Sequence, residues 1–351
     1  MENIINYVKT QSNPFNIKEF NAVDSLILSQ ISNIVLNNFV GSIDSIKEHI
    51  LFKDLLEIDF SPEMFNVPYG ESIKKLLFYS CSSPRFREIR INYYISKNDP
   101  ISEKQFSAIT FILNNKYAYI GFAGTDFSII GWKEDFNMSL SNAVPSQLEG
   151  VDYVNTIAKL IPHDLYIGGH SKGGNIAIYA SMNCHSEISN RIKKIYSHDS
   201  PGFRDEIIKS EAFNKIKNKI HKTLPHSSII GMLFENQEGY HVVKSNGLGG
   251  INQHNPFSWK IKNSNFIYLD KISLSSKHTS DSLHKLIDKL SDEKRKVFID
   301  SLFDIFSATD SESFIEIAHN WKKNIPIILD SLKTMDEEMK SIILQLIKAL
   351  L

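Results

Sequence analysis

The stretch of sequence that decides the fold is DLYIGGHSKGG, residues 164–174. An apolar run leads into it, and a pattern typical of a helix, Asn175–Met182, follows it. We therefore predict a short strand, a sharp turn centred on Ser171, and a helix. Such a turn needs residues without bulk two positions before and two positions after the serine, because strand and helix approach each other closely there. Gly169 and Gly173 meet that need in a chain with only 16 glycines.

A strand, a Gly-x-Ser-x-Gly turn and a helix together make the nucleophile elbow of α/β hydrolases. The surrounding sequence alternates as that fold requires. Period-two patterns predict an antiparallel edge of strands at Ile89–Ile95, Gln105–Leu113 and Tyr117–Phe122. Strands and helices then alternate to about residue 244, which predicts right-handed βαβ units and a mostly parallel sheet with helices on both faces. The elements predicted after the elbow are strand Ile195–His198, helix Asp205–Ile220, and strands Ser228–Phe234 and Tyr240–Lys244.

The two ends of the chain are predicted to be helical. Residues 1–80 form an N-terminal helical part, with helices over Phe20–Val35 and Ile43–Leu56, of a hydrolase domain spanning residues 1–274. Residues 275–351 form a C-terminal helical region whose last helix carries its apolar residues on one face. We expect this region to pack as an appendage on the hydrolase body. Peripheral contact with a lipid surface or a partner protein is the alternative.

Composition narrows the class of protein. The formal net charge is −1 over 351 residues, with both signs interleaved, so no nucleic-acid partner is expected. No motif has metal-ligand spacing, so neither a metal nor another cofactor is expected. The two cysteines form no disulfide framework, and neither a secretory signal nor an apolar run of about 18 residues is visible. A soluble cytoplasmic protein is the expectation, and the oligomeric state stays open.

A serine hydroxyl becomes a nucleophile only when a base takes its proton and a third group holds that base. In this fold the three residues follow the order serine, acid, histidine. Downstream of Ser171, Asp199 ends a predicted strand and precedes Ser-Pro-Gly, which makes it the first candidate for the acid; Glu235, at the end of a later predicted strand, is the alternative. His254 lies in a loop that starts with glycine and ends with proline, and it is a better candidate for the base than His241, which lies within a strand-like run.

The oxyanion that forms during acyl transfer also needs hydrogen-bond donors. One is normally the backbone N–H of the residue after the nucleophile, here Lys172. The other is expected at Thr125, through its backbone and its hydroxyl, in the loop after strand Tyr117–Phe122; Gly124 allows close approach there. An ordinary turn after an edge strand is the alternative interpretation of that loop. Each well-placed donor contributes roughly 3–4 kcal/mol to transition-state stabilisation.

These motifs resemble those of a known family. GFAGTD (residues 121–126) followed by GWKED (131–135) resembles the Phe-Arg-Gly-Thr loop and the acidic segment of class 3 lipases. Over residues 20–262 the likeness is closer to a group of bacterial lipase-like α/β hydrolases. The further motifs that carry it are GHSKGG (169–174), HDSPGF (198–203) and QHNPF (253–257).

The resemblance implies a lipase-like fold and roles for four residues. The nucleophile, the base and the two oxyanion donors would be Ser171, His254, Thr125 and Lys172. Two departures bear on this. Class 3 lipases usually carry the acid after the next strand, a position that falls near Ser227-Ser228 here, and for this reason the role is assigned to Asp199. The arginine of the Phe-Arg-Gly-Thr loop is Ala123.

The sequence therefore predicts a serine hydrolase of the lipase or esterase type, acting through a Ser-His-Asp triad and an acyl-enzyme. The resemblance favours a lipid or phospholipid ester over a small-molecule ester. Two alternatives stay open. An acyl or thioester transferase would use the same triad, because the two activities differ only in what reaches the acyl-enzyme. The second alternative is a binding protein that has the hydrolase fold but no catalytic activity.

Overall fold

The structure is a computed structural model and describes most of the chain. The described residues are 2–37, 39–43, 48–99, 101, 104–126, 129–140, 143–233, 239–248, 250–287, 289–309, 320–333 and 335–350.

A nine-stranded sheet organises the molecule, and its strands follow one another in the order of the chain except at the last position. Strands β4 to β8 pair in parallel, and antiparallel pairings flank them on both sides. A small hairpin, β9–β10, lies outside the sheet. The strands are β1 (Ile50–Leu51), β2 (Arg90–Asp99), β3 (Lys104–Ile112), β4 (Tyr117–Phe122), β5 (Asp164–His170), β6 (Ile192–His198), β7 (Ile220–Pro225), β8 (His241–Val243), β9 (Ile261–Lys262), β10 (Asn265–Phe266) and β11 (Tyr268–Leu269).

Helices cover both faces of this sheet. Because neighbouring parallel strands are consecutive in sequence, right-handed crossovers place their connecting helices on one face. The N-terminal helices fill the other face. The helices of these two layers are α1 (Ile4–Thr10), α2 (Ala22–Ile31), α3 (Gly70–Ser82), α4 (Ile129–Leu140), α5 (Pro145–Leu160), α6 (Lys172–Asn183), α7 (Ser186–Ser189), α8 (Asp205–Ile208) and α9 (Glu211–Ile216).

Alternating side chains of the central strands build two separate cores. Tyr119 and Tyr196 pack with Phe20 in the core beneath α1 to α3. Ile120 and Ile167 directly follow Tyr119 on β4 and Tyr166 on β5, so their side chains point to the opposite face of the sheet. They pack in the core beneath α5, α6 and α9. This three-layer arrangement confirms the predicted α/β-hydrolase fold, with a parallel centre, antiparallel edges and helices on both faces.

Three predicted elements differ from the structure. The predicted helix Asp205–Ile220 is two short helices, α8 and α9, followed by a 3₁₀ turn, Lys217–Lys219, and Ile220 already begins strand β7. The sequence predicts no strand over residues 221–225, because His221 and Lys222 are polar side chains that a strand in the middle of a sheet seldom carries. The predicted strand at 228–234 forms a 3₁₀ turn over Ile230–Met232 in its described part, because a short apolar run does not distinguish a strand from other buried structure. The predicted helix Ile43–Leu56 contains β1 and the start of a 3₁₀ helix, Phe52–Glu57, in its described part.

Helix α2 is buried along its whole length. Its charged residue Asp24 forms a buried ion pair with Arg85 at 2.6 Å and accepts a hydrogen bond from the Tyr7 hydroxyl at 2.9 Å. This pair anchors the first turn of α2. The other end of the helix lies beside the carboxyl ends of β4 and β5, where Gln30 and Asn33 line the site described below.

The C-terminal region consists of helices that share a core with the hydrolase body. Its helices bury their apolar sides against one another and against Phe136 of α4, together with Ile230 and Leu233. They are α10 (Leu274–Ile287), α11 (Asp292–Ser307), α12 (Trp321–Leu332) and α13 (Glu337–Leu350).

Candidate active site

The turn at Ser171 has the geometry that its glycines predict. Ser171 has φ 56° and ψ −132°, a left-handed conformation that is strained for a residue with a Cβ. A Cβ on Gly169 would lie 2.2 Å from the carbonyl carbon of Gly173, and a Cβ on Gly173 would lie 2.2 Å from the carbonyl oxygen of Phe122. Strand β5 and helix α6 therefore close around the serine only because both positions lack a side chain.

Asp199 follows β6 and is completely buried. One carboxylate oxygen accepts hydrogen bonds from the Ser228 hydroxyl at 2.5 Å and the Gly231 backbone N–H at 3.1 Å. The other oxygen lies 2.7 Å from Nδ1 of His254. A buried carboxylate with three donors is held in one orientation, so it can hold the imidazole in turn.

His254 ends a 3₁₀ helix, Gly250–His254, and two hydrogen bonds to backbone carbonyls hold this segment in place. The indole N–H of Trp259 donates to the Gln253 carbonyl at 2.9 Å. The Nε2–H of His170 donates to the carbonyl of His254 at 3.0 Å. Burial lowers the pKa of His170 well below its usual range, so it serves as a neutral donor beneath the histidine loop.

The structure thus brings together three of the residues that the sequence singled out. Ser171 and His254 line one cavity of about 50 Å³, and Asp199 holds the histidine from behind. Their catalytic roles stay predictions. The alternative acid, Glu235, lies outside the described residues. The cavity is lined by Gln30, Asn33, Pro68, Tyr69, Gly124, Thr125, Asp126, Trp132, His170, Ser171, Ile251 and His254.

The loop after β4 places Thr125 in the wall of this cavity. The side-chain oxygen of Asn33 accepts the N–H of Gly124 at 2.9 Å, which fixes the loop against the end of α2. The Thr125 hydroxyl donates to the carboxylate of Asp135 in a short hydrogen bond. Loss of hydration raises the pKa of Asp135 to about 7, and the neighbouring charge of Glu134 acts in the same direction.

Lys172, the first residue of α6, sends its charge away from the cavity. Its ammonium group lies 2.8 Å from the Glu134 carboxylate and 2.9 Å from the side-chain oxygen of Gln105, and both members of the ion pair are 1% exposed. Lys172 can therefore contribute to an oxyanion site through its backbone N–H alone. The partial positive charge at the start of a helix favours an anion at that position.

Helix α4 separates the cavity from the C-terminal helices. Trp132 lines the cavity, and Phe136, one turn later, packs edge-on against Phe303 of α11 with ring centroids 5.7 Å apart. Lys133 forms an ion pair with Asp300 of the same helix at 2.8 Å. Ile251 also lines the cavity and packs against the core of the C-terminal helices. The C-terminal helices therefore pack against the wall of the cavity that Trp132 and Ile251 form.

Several residues at this site were missed by sequence reasoning. Asp135 had a signal, because it belongs to the acidic segment that resembles class 3 lipases. Ser228 also had one, since it falls near the position where those lipases carry the acid. Gln30, Asn33 and Tyr69 had none, because they come from an N-terminal part whose pattern shows only helices.

The described residues contain neither a cluster of metal ligands nor a membrane-spanning helix. No three His, Cys, Asp or Glu side chains in the described ranges come together as metal ligands. None of the described helices is both long enough and apolar enough to cross a membrane.

The sheet order and the elbow at Ser171 define a protein of the α/β-hydrolase class. Within that class the chain belongs to the Mbeg1-like family, whose model matches residues 80–304. The match overlaps the segment in which the sequence resembles lipase-like hydrolases.

Several solved structures of lipases resemble the chain at low identity. The lipase of Rhizomucor miehei in its propeptide complex is 19% identical, with a TM-score of 0.35, over 49% of this chain and 67% of the lipase. Lip2 lipase from Yarrowia lipolytica is 12% identical, with a TM-score of 0.36, over 63% and 77% of the two chains. M37 lipase is 13% identical, with a TM-score of 0.38, over 61% of this chain and 70% of the lipase. No curated protein has a significant match to the chain.

Proposed function

We propose that this protein is a serine hydrolase of the lipase or esterase type that cleaves an acyl ester through a covalent acyl-enzyme. The observation that carries the proposal is the arrangement around one cavity. A serine on a strained elbow and a histidine line the cavity, and a buried carboxylate with two further donors holds that histidine at 2.7 Å.

The chemistry follows from these positions. His254 takes the hydroxyl proton of Ser171 as the serine oxygen attacks the ester carbonyl carbon, and Asp199 stabilises the imidazolium that forms. The tetrahedral intermediate collapses when His254 gives the proton to the leaving alcohol. Water then attacks the acyl-enzyme with the same histidine as base, and the acid is released.

The oxyanion of each tetrahedral intermediate would be bound between the end of β4 and the start of α6. The backbone N–H of Lys172 supplies one donor at a helix N-terminus. Thr125 supplies the other through its backbone N–H, and its hydroxyl contributes when Asp135 does not take that proton.

A lipid or phospholipid ester stays our preferred substrate class, on the strength of the lipase-like motifs. The cavity of about 50 Å³ is far smaller than the roughly 300–1,000 Å³ of ordinary ligand pockets. A substrate with a long acyl chain therefore requires the wall formed by Trp132 and Ile251 to move. That requirement predicts a dependence of the rate on α4 and on the helices packed behind it.

Contact with a lipid surface or a partner protein through the C-terminal helices is a second part of this proposal. Among the described residues of these helices, most apolar side chains are buried in the shared core, and a few large ones face solvent. These are Leu274, Val297, Leu329 and Leu344.

The proposal is tested first with a fluorophosphonate probe, which labels activated serines. We expect labelling of the wild type, loss of labelling in Ser171→Ala, and retention in Ser181→Ala, whose serine is buried near the other end of the same helix. Absence of labelling in the wild type would refute the proposed activity.

A second experiment identifies the reaction and the acyl group. Turnover of p-nitrophenyl esters of increasing chain length, with and without an acceptor alcohol, separates hydrolysis from acyl transfer. Release of free acid at an unchanged rate in the presence of the alcohol supports a hydrolase. Formation of a new ester as the main product would instead identify a transferase.

A further inference from the structure

The side chain of Gln30 is an exception in helix α2. Gln30 is 1% exposed and lines the catalytic cavity. Its amide nitrogen Nε2 is buried and has no hydrogen-bond partner among the described residues. A buried donor without a partner destabilises the fold, so such a group calls for a physical reason.

The other polar side chains of this helix are satisfied by the protein itself. Asp24 is paired with Arg85, and Ser29 donates to the carbonyl of Ser25 at 2.8 Å. Asn33, just beyond the helix, donates to the Ser29 carbonyl and accepts from the oxyanion loop. Among these side chains only that of Gln30 keeps a buried donor without a partner, and Gln30 lines the space where a substrate would lie.

Tyr69 lines the same cavity from the start of α3. Its backbone has φ 62°, a left-handed conformation that is strained for a non-glycine residue and that occurs preferentially at ligand sites. Burial, reinforced by the negative charge of Asp199, raises the pKa of its phenol above the ordinary value. Tyr69 is therefore a neutral hydroxyl group and can donate a hydrogen bond at any physiological pH.

The charges around the cavity indicate what these donors bind. No lysine or arginine is among the described residues that line it, whereas Asp126 is. An anionic group would lose hydration there and would find no cationic side chain among the described residues of the lining. A neutral oxygen with free lone pairs satisfies Gln30 and Tyr69 without that penalty.

We propose that Gln30 and Tyr69 form a polar subsite that binds a neutral hydrogen-bond-accepting oxygen of the substrate, such as a second carbonyl or an ether oxygen, in addition to the ester that reacts at Ser171. The inference rests on the proposed hydrolase function. It restricts the substrate class to esters with an oxygen acceptor in the acyl or the alcohol part. A plain hydrocarbon chain at the subsite would leave the buried donors unpaired, and sites of that kind reject ligands that lack the polar group.

The test compares matched ester pairs. In one pair, p-nitrophenyl hexanoate and p-nitrophenyl 5-oxohexanoate, the second oxygen is in the acyl group; in the other, butyl acetate and 2-methoxyethyl acetate, it is in the alcohol. For Gln30→Met we expect the preference in kcat/KM for the oxygen-bearing member of one pair to fall about 10- to 100-fold. Tyr69→Phe should reduce the same preference. Unchanged preferences in both pairs would overturn the proposal.

Gln147 provides the matched control, because it is also 1% exposed but fully paired. Its amide donates to the side-chain oxygen of Asn175 at 2.8 Å and accepts from the N–H of Val144 at 3.0 Å. Gln147→Met should lower the urea midpoint of unfolding and leave the ester preferences unchanged. Gln30→Met should leave the midpoint unchanged or raise it, because it removes a donor that the protein does not satisfy.

The stability measurement does not need turnover, so it separates the two proposals. Absence of fluorophosphonate labelling in the wild type refutes the hydrolase function. A fall in the midpoint for Gln30→Met as large as that for Gln147→Met shows that the amide has a partner within the protein, and this overturns the subsite whatever the labelling shows.

Discussion

The hydrogen bond between Thr125 and Asp135 predicts a pH-dependent oxyanion site. When Asp135 is ionised, its carboxylate accepts the Thr125 hydroxyl proton, as it does in the structure. When Asp135 is protonated, its own O–H donates to the threonine oxygen, and the threonine proton can then turn toward the oxyanion. Because the pKa of Asp135 is raised to about 7, this exchange falls within the range in which esterases are assayed.

The magnitude follows from that pKa. An oxyanion donor is worth on the order of 10²- to 10³-fold in kcat. Near pH 5.5 almost all Asp135 is protonated, so Thr125→Val should lower kcat by about that factor. At pH 8.5 only about one molecule in 30 carries the proton, for a carboxyl group with a pKa of about 7. The advantage of the wild type over Thr125→Val should then be about 30-fold smaller.

The assay measures kcat of the wild type and of Thr125→Val on one p-nitrophenyl ester from pH 5.5 to 8.5. The ratio of the two rates cancels every pH dependence that both enzymes share. In an Asp135→Asn background the amide donates to the threonine oxygen at every pH, so the corresponding ratio should be flat. A wild-type ratio that is independent of pH, or a slope that survives Asp135→Asn, would refute the reasoning.

The same raised pKa gives a prediction for stability. A carboxyl that holds its proton more tightly when folded stabilises the fold fully below about pH 4, where the unfolded chain is also protonated. That contribution is lost as the pH rises from about 4 to about 7 and stays absent above. The free energy of unfolding, measured by urea titration at several pH values, should fall more steeply between pH 4 and 7 in the wild type than in Asp135→Asn. Above pH 7 the two curves should run parallel.

Three further substitutions test other parts of the site. Ser228→Ala removes one of the three donors to the Asp199 carboxylate, a charge-assisted hydrogen bond worth about 1.5–3 kcal/mol, and should lower kcat about 10-fold; an unchanged kcat would contradict this role. Lys172→Met leaves Glu134 buried without its cation and should lower the free energy of unfolding by about 3–5 kcal/mol in urea denaturation. The Glu134 carboxylate also accepts the backbone N–H groups of Gln105 and Ser146, so a second substitution, Glu134→Gln, removes the unpaired charge, keeps one acceptor and should reverse part of that loss. Phe303→Ala removes the ring behind α4, so fluorophosphonate labelling should become faster as the cavity wall loosens; slower labelling in the folded variant would show that α4 does not control access.

Local constraints made the elbow and its partners predictable. The serine turn requires glycine at two fixed positions, and that requirement can be recognised in eleven residues of sequence. Asp199 and His254 follow in the order that the fold imposes, each at the end of a recognisable strand or within a loop. The structure places Nδ1 of His254 2.7 Å from a carboxylate oxygen of Asp199, and the catalytic roles of the two residues stay predictions.

Polar residues in buried positions explain what sequence reasoning missed. Strand β7 contains Lys222, which is 1% exposed and whose pKa burial lowers to about 7, so the segment lacks the apolar run that identifies a central strand. Gln30 and Tyr69 reach the cavity from segments more than 90 residues before the nucleophile. Only the packing of α2 and α3 on the sheet brings them there, and no local pattern records that contact.

Strand β7 also explains why an acid at Asp199 can replace one in the more usual place. Strands β6 and β7 are parallel neighbours, with His198 opposite Thr223, so the residues that follow them lie side by side at one edge of the sheet. A carboxylate after either strand is therefore within reach of the same histidine. In this chain the position after β7 carries Ser228, which donates its hydroxyl to the Asp199 carboxylate. If Asp199 is the catalytic acid, as we propose, the residue after β7 thus supports the carboxylate that the end of β6 provides.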